Sequence, residues 1–139
     1  MLLKTSQNPK EIYQTINSVI GSSFSLIEKF KYDVFGSPKY KIISMSPSNH
    51  AINFEDYSDL VYGAFELRKN GLAFFFRYKN EEYILISHFN QCSFVTNDGF
   101  FQFQFSSYNL KLTYSDLKSH KTFITRYYKI KNLDLESNV

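Results

Sequence analysis

The sequence predicts a mainly β, α+β chain: seven strands in two antiparallel meanders, a C-terminal amphipathic helix, and an extra helix at the N-terminus. Three observations carry this. Aromatic residues make up 19% of the chain, fifteen Phe and eleven Tyr with no Trp, and large planar side chains suit sheets that bury one face and half-bury the other. Between residues 60 and 114, short alternating runs are punctuated by turn residues. At both ends the apolar period changes from two to that of a helix.

The first helix starts at Asn8-Pro9-Lys10-Glu11, with Asn8 as N-cap, Pro9 in the first turn and Glu11 placed to close a capping box. Ile12, Ile16, Val19 and Ile20 form its apolar stripe, and Gly21 is a ready stop. With Lys10 as its only cation, this helix lacks the basic polar face of an interfacial helix, and docking on its own sheet is expected. Residues 22–38 admit two readings. Phe30, Tyr32 and Val34 alternate like a strand, whereas Phe24, Ile27 and Phe30 are spaced by three and continue a helix.

Residues 40–45 read as a strand, followed by a long polar connection over 46–59. The central stretch LRKNGLAFFFRYKNEEYILIS comes next. Phe65 and Leu67 face one way, Glu66 and Arg68 the other. Asn70-Gly71 is the strongest hairpin signal in the chain, both residues tolerating positive φ. Residues 72–78 are apolar on both faces through Phe74, Phe75 and Phe76, as in a strand covered on both sides. Lys79-Asn80-Glu81 turns the chain into the Tyr83-Ile84-Leu85-Ile86 strand. Three shorter strands follow, over 92–96, 100–105 and 110–114, with Phe101, Phe103 and Phe105 pointing together. In the last helix Leu117, Phe123, Ile124, Tyr127, Tyr128 and Ile130 share an arc of roughly 160°, opposite Lys118, Lys121, Arg126 and Lys129.

A four-strand meander, a three-strand meander and a closing helix resemble the pleckstrin-homology-like barrel. LRKNGLAFFFRYKNEEYILISHFN in particular looks like small bacterial members of that group. The resemblance covers about 100 residues and is one of element order and texture. It implies a near-orthogonal two-sheet barrel with the last helix plugging one end, and a binding module without catalysis. One domain over 1–139 follows, divided into an N-terminal helix and extension (1–38), the barrel with its helix (39–131) and a polar tail (132–139). Phosphoinositide-binding members of the group carry Lys and Arg on the connection between the first two strands. Here that connection holds Glu55, Asp56, Asp59 and His50 and no Lys or Arg, which argues against a phosphate-headgroup site there.

Net charge is +3, with ten Lys/Arg and six Asp/Glu in residues 67–139 against six and seven in 1–66. That excess is too small and too scattered to argue for nucleic acid. One cysteine, Cys92, excludes an internal disulfide and fits a reducing compartment; with no leader-like apolar segment, a cytoplasmic location is expected. No run reaches the roughly 20 apolar residues of a membrane span.

His50, His88 and His120 sit in separate regions without partners at ligand spacing, so no metal or other cofactor is expected. His120 falls on the apolar arc of the last helix and reads as a packed core histidine. Cys92 with His88 four residues away is the nearest approach to a nucleophile pair, and a small buried Cys92 is the plainer reading. No convergent acid, base and nucleophile set is visible, which favours a non-catalytic binding or scaffold module. Its expected partner is a protein, met through a sheet edge, the acidic connection (Glu55, Asp56, Asp59) or the basic helix face (Lys118, Lys121, Arg126, Lys129). The alternative is a carrier holding a small apolar ligand between sheet and helix.

Overall fold

The computed structural model describes residues 1–4, 9–32, 36–46, 52, 54, 60–97, 99–105 and 108–137. The elements in chain order are β1 (Leu2–Lys4), α1 (Pro9–Ile20), α2 (Leu26–Tyr32), β2 (Tyr40–Ser46), β3 (Tyr62–Leu67), β4 (Gly71–Tyr78), β5 (Glu81–His88), a 3₁₀ turn (Phe89–Gln91), β6 (Cys92–Asn97), β7 (Phe100–Phe105), β8 (Tyr108–Thr113) and α3 (Leu117–Ser137). All eight strands belong to one antiparallel sheet in the order β1-β5-β4-β3-β2-β8-β7-β6. The two meanders are present as read from the sequence, joined where β2 pairs with β8.

Three details differ from expectation. An eighth strand, β1, pairs with β5 through Leu2↔Leu85, Leu3↔Ile84 and Lys4↔Tyr83. The sheet is not closed: its two ends are β1 and β6, which do not pair with each other. α3 runs on to Ser137, through residues whose polarity had suggested a frayed tail. Within residues 22–38, read either as strand or as helix, Leu26–Tyr32 form the helix α2, and residues 33–35, with Val34 of the strand reading, lie outside those described. The proposed N-cap Asn8 also lies outside the described residues.

β2 belongs to both halves. It makes two register pairs with β3, Tyr40↔Gly63 and Lys41↔Tyr62. With β8 it makes five, and a bulge between Ile42 and Ser44 re-aims the strand. This bend lets one continuous sheet wrap a core.

Two apolar layers result. Inside the curve, Phe65, Phe74, Phe101, Phe103, Phe105, Leu110 and Leu112 pack against Phe123, Tyr127 and Ile130 of α3. Outside it, Ile12, Ile16 and Ile20 of α1 cover Ala73 of β4 and Ile84 and Ile86 of β5. β4 and β5 are therefore covered on both faces, as the double-sided apolar pattern required. Each isoleucine buried by α1 contributes about 1.5–3 kcal/mol.

The β3–β4 turn differs from the sequence reading in its mechanism. Among the described residues, the non-glycine positive φ values belong to Lys79 (50°) and Asn80 (64°), in the β4–β5 turn. Asn70 and Gly71 have negative φ. Gly71 is needed for close approach instead: a Cβ there would land on the Ser87 carbonyl oxygen and 2.7 Å from Ile20 Cγ2. Gly71→Ala is expected to destabilise the fold by about 3 kcal/mol, read as a lowered urea midpoint at unchanged slope. A midpoint equal to the parent's would mean that β4, β5 and α1 are not so tightly apposed.

Candidate binding surfaces

The β3–β4 turn gathers much of the structure. Arg68, read as facing the side opposite Phe65 and Leu67, is 4% exposed. Its guanidinium donates from Nη1 to Asn17 Oδ1 and to the Gly21 carbonyl, both at 3.0 Å, and pairs with Glu66. Strand alternation placed Arg68 on the right face; the end of α1 covers that face. Asn70 donates its backbone N–H to the Ile20 carbonyl (3.1 Å), accepts from Phe89 N–H (3.2 Å), and donates from Nδ2 to Asp134 Oδ1 (2.8 Å). Lys69 reaches Glu28 Oε2 at 3.4 Å. An open cleft of about 260 Å³ lies between α2, this turn and the last turns of α3, lined by Glu28, Tyr32, Lys69, Asn70, Ile130 and Leu133 among others.

The four basic residues singled out on α3 spread over its outer side. Lys118 and Lys121 are exposed, as is Lys129, while Arg126 is half-buried. Lys129 Nζ donates to the Tyr32 carbonyl at 3.4 Å, which places this face beside α2. Lys118 and Arg126 line a second open cleft with Ser37, Pro38, Ser119 and Thr122. Glu55, Asp56, Asp59 and His50 lie outside the described residues, so the acidic connection has no structural description. Of that connection, Ile52 is buried and Phe54 packs on Phe76 and Tyr78.

Cys92 is 7% exposed, with Sγ 3.3 Å from Tyr127 Oη and 3.5 Å from the Phe89 carbonyl. Burial pushes its thiol pKa up, the opposite of what a nucleophilic thiolate needs. His88 is exposed at the end of β5. No group of three or more His, Cys, Asp or Glu among the described residues is placed to hold a metal ion.

The sheet's two ends are unlike. β1 is three residues long and ends on Lys4, whose Nζ is 3.7 Å from Glu81. β6, CSFVTN, pairs with β7 over six unbroken positions from Cys92↔Phe105 to Asn97↔Phe100. It carries no charge, proline or bulge, the usual means of blunting an edge. No described strand pairs with its other side. Val95 is 55% exposed, and Phe94, half-buried, reaches Tyr127 of α3 at 4.4 Å between ring centroids. At about 100° per residue, Leu117, Ile124, Tyr128 and Leu135 fall within an arc of about 40°, flanked by Lys121 and Lys131. This stripe adjoins Tyr127, through which α3 rests on β6. Leu117, Tyr128 and Leu135 are exposed and Ile124 is half-buried.

No protein-family model, curated protein or solved structure matches this chain.

No described helix is long and apolar enough to cross a membrane. The histidine assigned to the core is there: His120 is 2% exposed and stacks on Tyr114 at 4.6 Å. Its Nδ1 is 3.0 Å from Tyr40 Oη, and Nε2 is buried without a partner among the described residues. Burial holds its pKa below the ordinary value, so the fold prefers the neutral ring. Protonation therefore favours the unfolded chain. The His120 contribution is complete above the unfolded pKa of about 6.5 and is lost as pH falls through that value toward the folded pKa. Urea midpoints measured from pH 8 down to 5 (values spanning about 6.5) should fall more steeply for the parent than for His120→Gln. Parallel curves would remove His120 as the titrating group.

Proposed function

We propose that the chain is a non-catalytic binding module with a pleckstrin-homology-like arrangement, and that it holds a protein partner by adding one of the partner's strands at β6. The observation that carries this is the contrast between the two sheet ends, one short and ion-paired, the other regular, uncharged and flanked by an apolar helix stripe. The succession of a four-strand meander, a three-strand meander and a helix supports the arrangement.

An added strand would satisfy the outward N–H and C=O groups of β6. Its alternate side chains would meet Phe94 and then Ile124 and Tyr128, giving apolar contact on the inner side. Lys121 and Lys131, on either side of the stripe, favour a partner segment with acidic residues among its apolar ones. The rival idea of an apolar-ligand carrier needs empty space between sheet and helix. Phe65 stands there, 5.0 Å from Phe103 and 5.1 Å from Phe123 between centroids.

The test is selection from a displayed library of extended peptides, followed by hydrogen exchange on the bound and free protein. Selected peptides should alternate apolar and acidic residues and should slow exchange along residues 93–97. Ile124→Lys combined with Tyr128→Glu should weaken binding roughly thirtyfold while leaving the circular dichroism spectrum unchanged. Binding that leaves the β6 amides unprotected, or that ignores the double substitution, would sink the proposal.

A further inference from the structure

α2 is a helix without a buried residue. Leu26 is 66% exposed, Ile27 81% and Phe30 69%. At about 100° per residue these three share an arc of about 100°, with Phe30 between the other two. Lys29 falls on one flank of that arc and Lys31 on the other. The acid of the helix is turned away: Glu28 faces the cleft, accepts from Ser25 N–H at 3.2 Å and meets Lys69 at 3.4 Å. Tyr32 also faces inward, against Phe24 at 5.7 Å. Lys129 of α3, bonded to the Tyr32 carbonyl, adds a third cation beside the same helix.

The outward face of α2 thus has an apolar centre, cations on both flanks, and its one carboxylate withdrawn. A helix lying in a bilayer interface has this distribution: apolar side chains enter the acyl boundary and lysines stay at the level of anionic headgroups. Because Glu28 is held at the cleft by Ser25 and Lys69, the outward face of α2 carries none of the helix's negative charge. We propose that α2 docks this protein on an anionic lipid bilayer, with Leu26, Ile27 and Phe30 inserted and Lys29, Lys31 and Lys129 against the lipid charge. The site lies outside the sheet and uses the bilayer surface, with no headgroup pocket. Two helical turns and three cations make the attachment reversible and dependent on anionic lipid. The strand-adding edge β6 is a separate surface, so the two proposals stand or fall independently.

The experiment is flotation of the full chain with large unilamellar vesicles, either phosphatidylcholine alone or phosphatidylcholine mixed with phosphatidylserine. The protein should float with the mixed vesicles, stay behind with the neutral ones, and be released by added salt. Ile27→Ser with Phe30→Ser, both at exposed positions, should abolish flotation without changing the circular dichroism spectrum. Lys29→Ala and Lys31→Ala should each weaken partitioning roughly fivefold. Absence of flotation with mixed vesicles overturns the proposal. So does flotation that survives the serine substitutions, which would be electrostatic adhesion alone. Sedimentation of the free protein is the remaining arm. A dimer lost on Ile27→Ser with Phe30→Ser would assign α2 to a second copy of the chain and also overturn it.

Discussion

The contact that most of this structure depends on is the tip of the β3–β4 hairpin. Four consecutive residues there take part in four separate joints. Arg68 holds the C-terminal turn of α1 through Asn17 and the Gly21 carbonyl. Lys69 meets α2 at Glu28, and Asn70 ties α1, the 3₁₀ turn and α3 together. Gly71 lets β4 pass against β5 and Ile20. The last carbonyls of a helix need partners from outside it. For α1, the side chain of Arg68 and the backbone of Asn70 provide them. Arg68 is buried, and its charge is compatible with that because Glu66 and two oxygen acceptors surround it. The outer layer of α1 and the inner layer with α3 are therefore coupled at one turn, although they lie on opposite faces of the sheet.

That joint also explains what the sequence could and could not reveal. The isoleucine stripe of α1, the two-sided strand β4 and the aligned Phe101, Phe103 and Phe105 are written in local periodicity, and each is found as read. Asn70-Gly71 was legible as a turn, but its reasons are tertiary. The positive φ values lie one turn later, at Lys79 and Asn80, while Asn70 serves distant backbone groups. No local pattern announces an acceptor 64 residues away such as Asp134. The same contact ties the polar last turns of α3, at Asp134, to the hairpin. α2 was legible only in part. Phe24, Ile27 and Phe30 at spacing three offered a helix beside the strand reading but did not show which of them is covered: Phe24 is buried, Ile27 and Phe30 are exposed. Periodicity identifies a face; it does not say whether anything covers it.

Among the surfaces, the acidic connection and the basic helix face were proposed from charge alone, and charge has no direction in a sequence. Folding disperses the four basic residues: Lys129 turns toward α2, and Lys118 with Arg126 toward the 36–38 segment. The apolar stripe beside β6 was hidden for a related reason. Tyr128 and Ile124 were grouped with the core residues because they share a wide arc with Tyr127. A helix lying on a sheet buries only the middle of such an arc, and its margins remain at the surface.

An open sheet of this size has to end somewhere, and how it ends is informative. Closing the curve by pairing β6 with the far edge would leave no exposed ladder, as complete barrels do. Here the far edge is occupied by β1, which caps β5 over three residues and extends the ladder through the Met1 carbonyl and Ile86 N–H at 2.9 Å. With β1 in place, the two ends of the sheet are β1 and β6. β5 is thus covered on its outer side, whereas no described strand pairs with the outer side of β6. A chain selected only for solubility would be expected to place a lysine or proline on that remaining edge. CSFVTN has neither, and the nearest cation of α3, Lys131, is engaged with Tyr127. Among the described strands, the one left with an unpaired side at this end of the sheet is thus also regular over six positions.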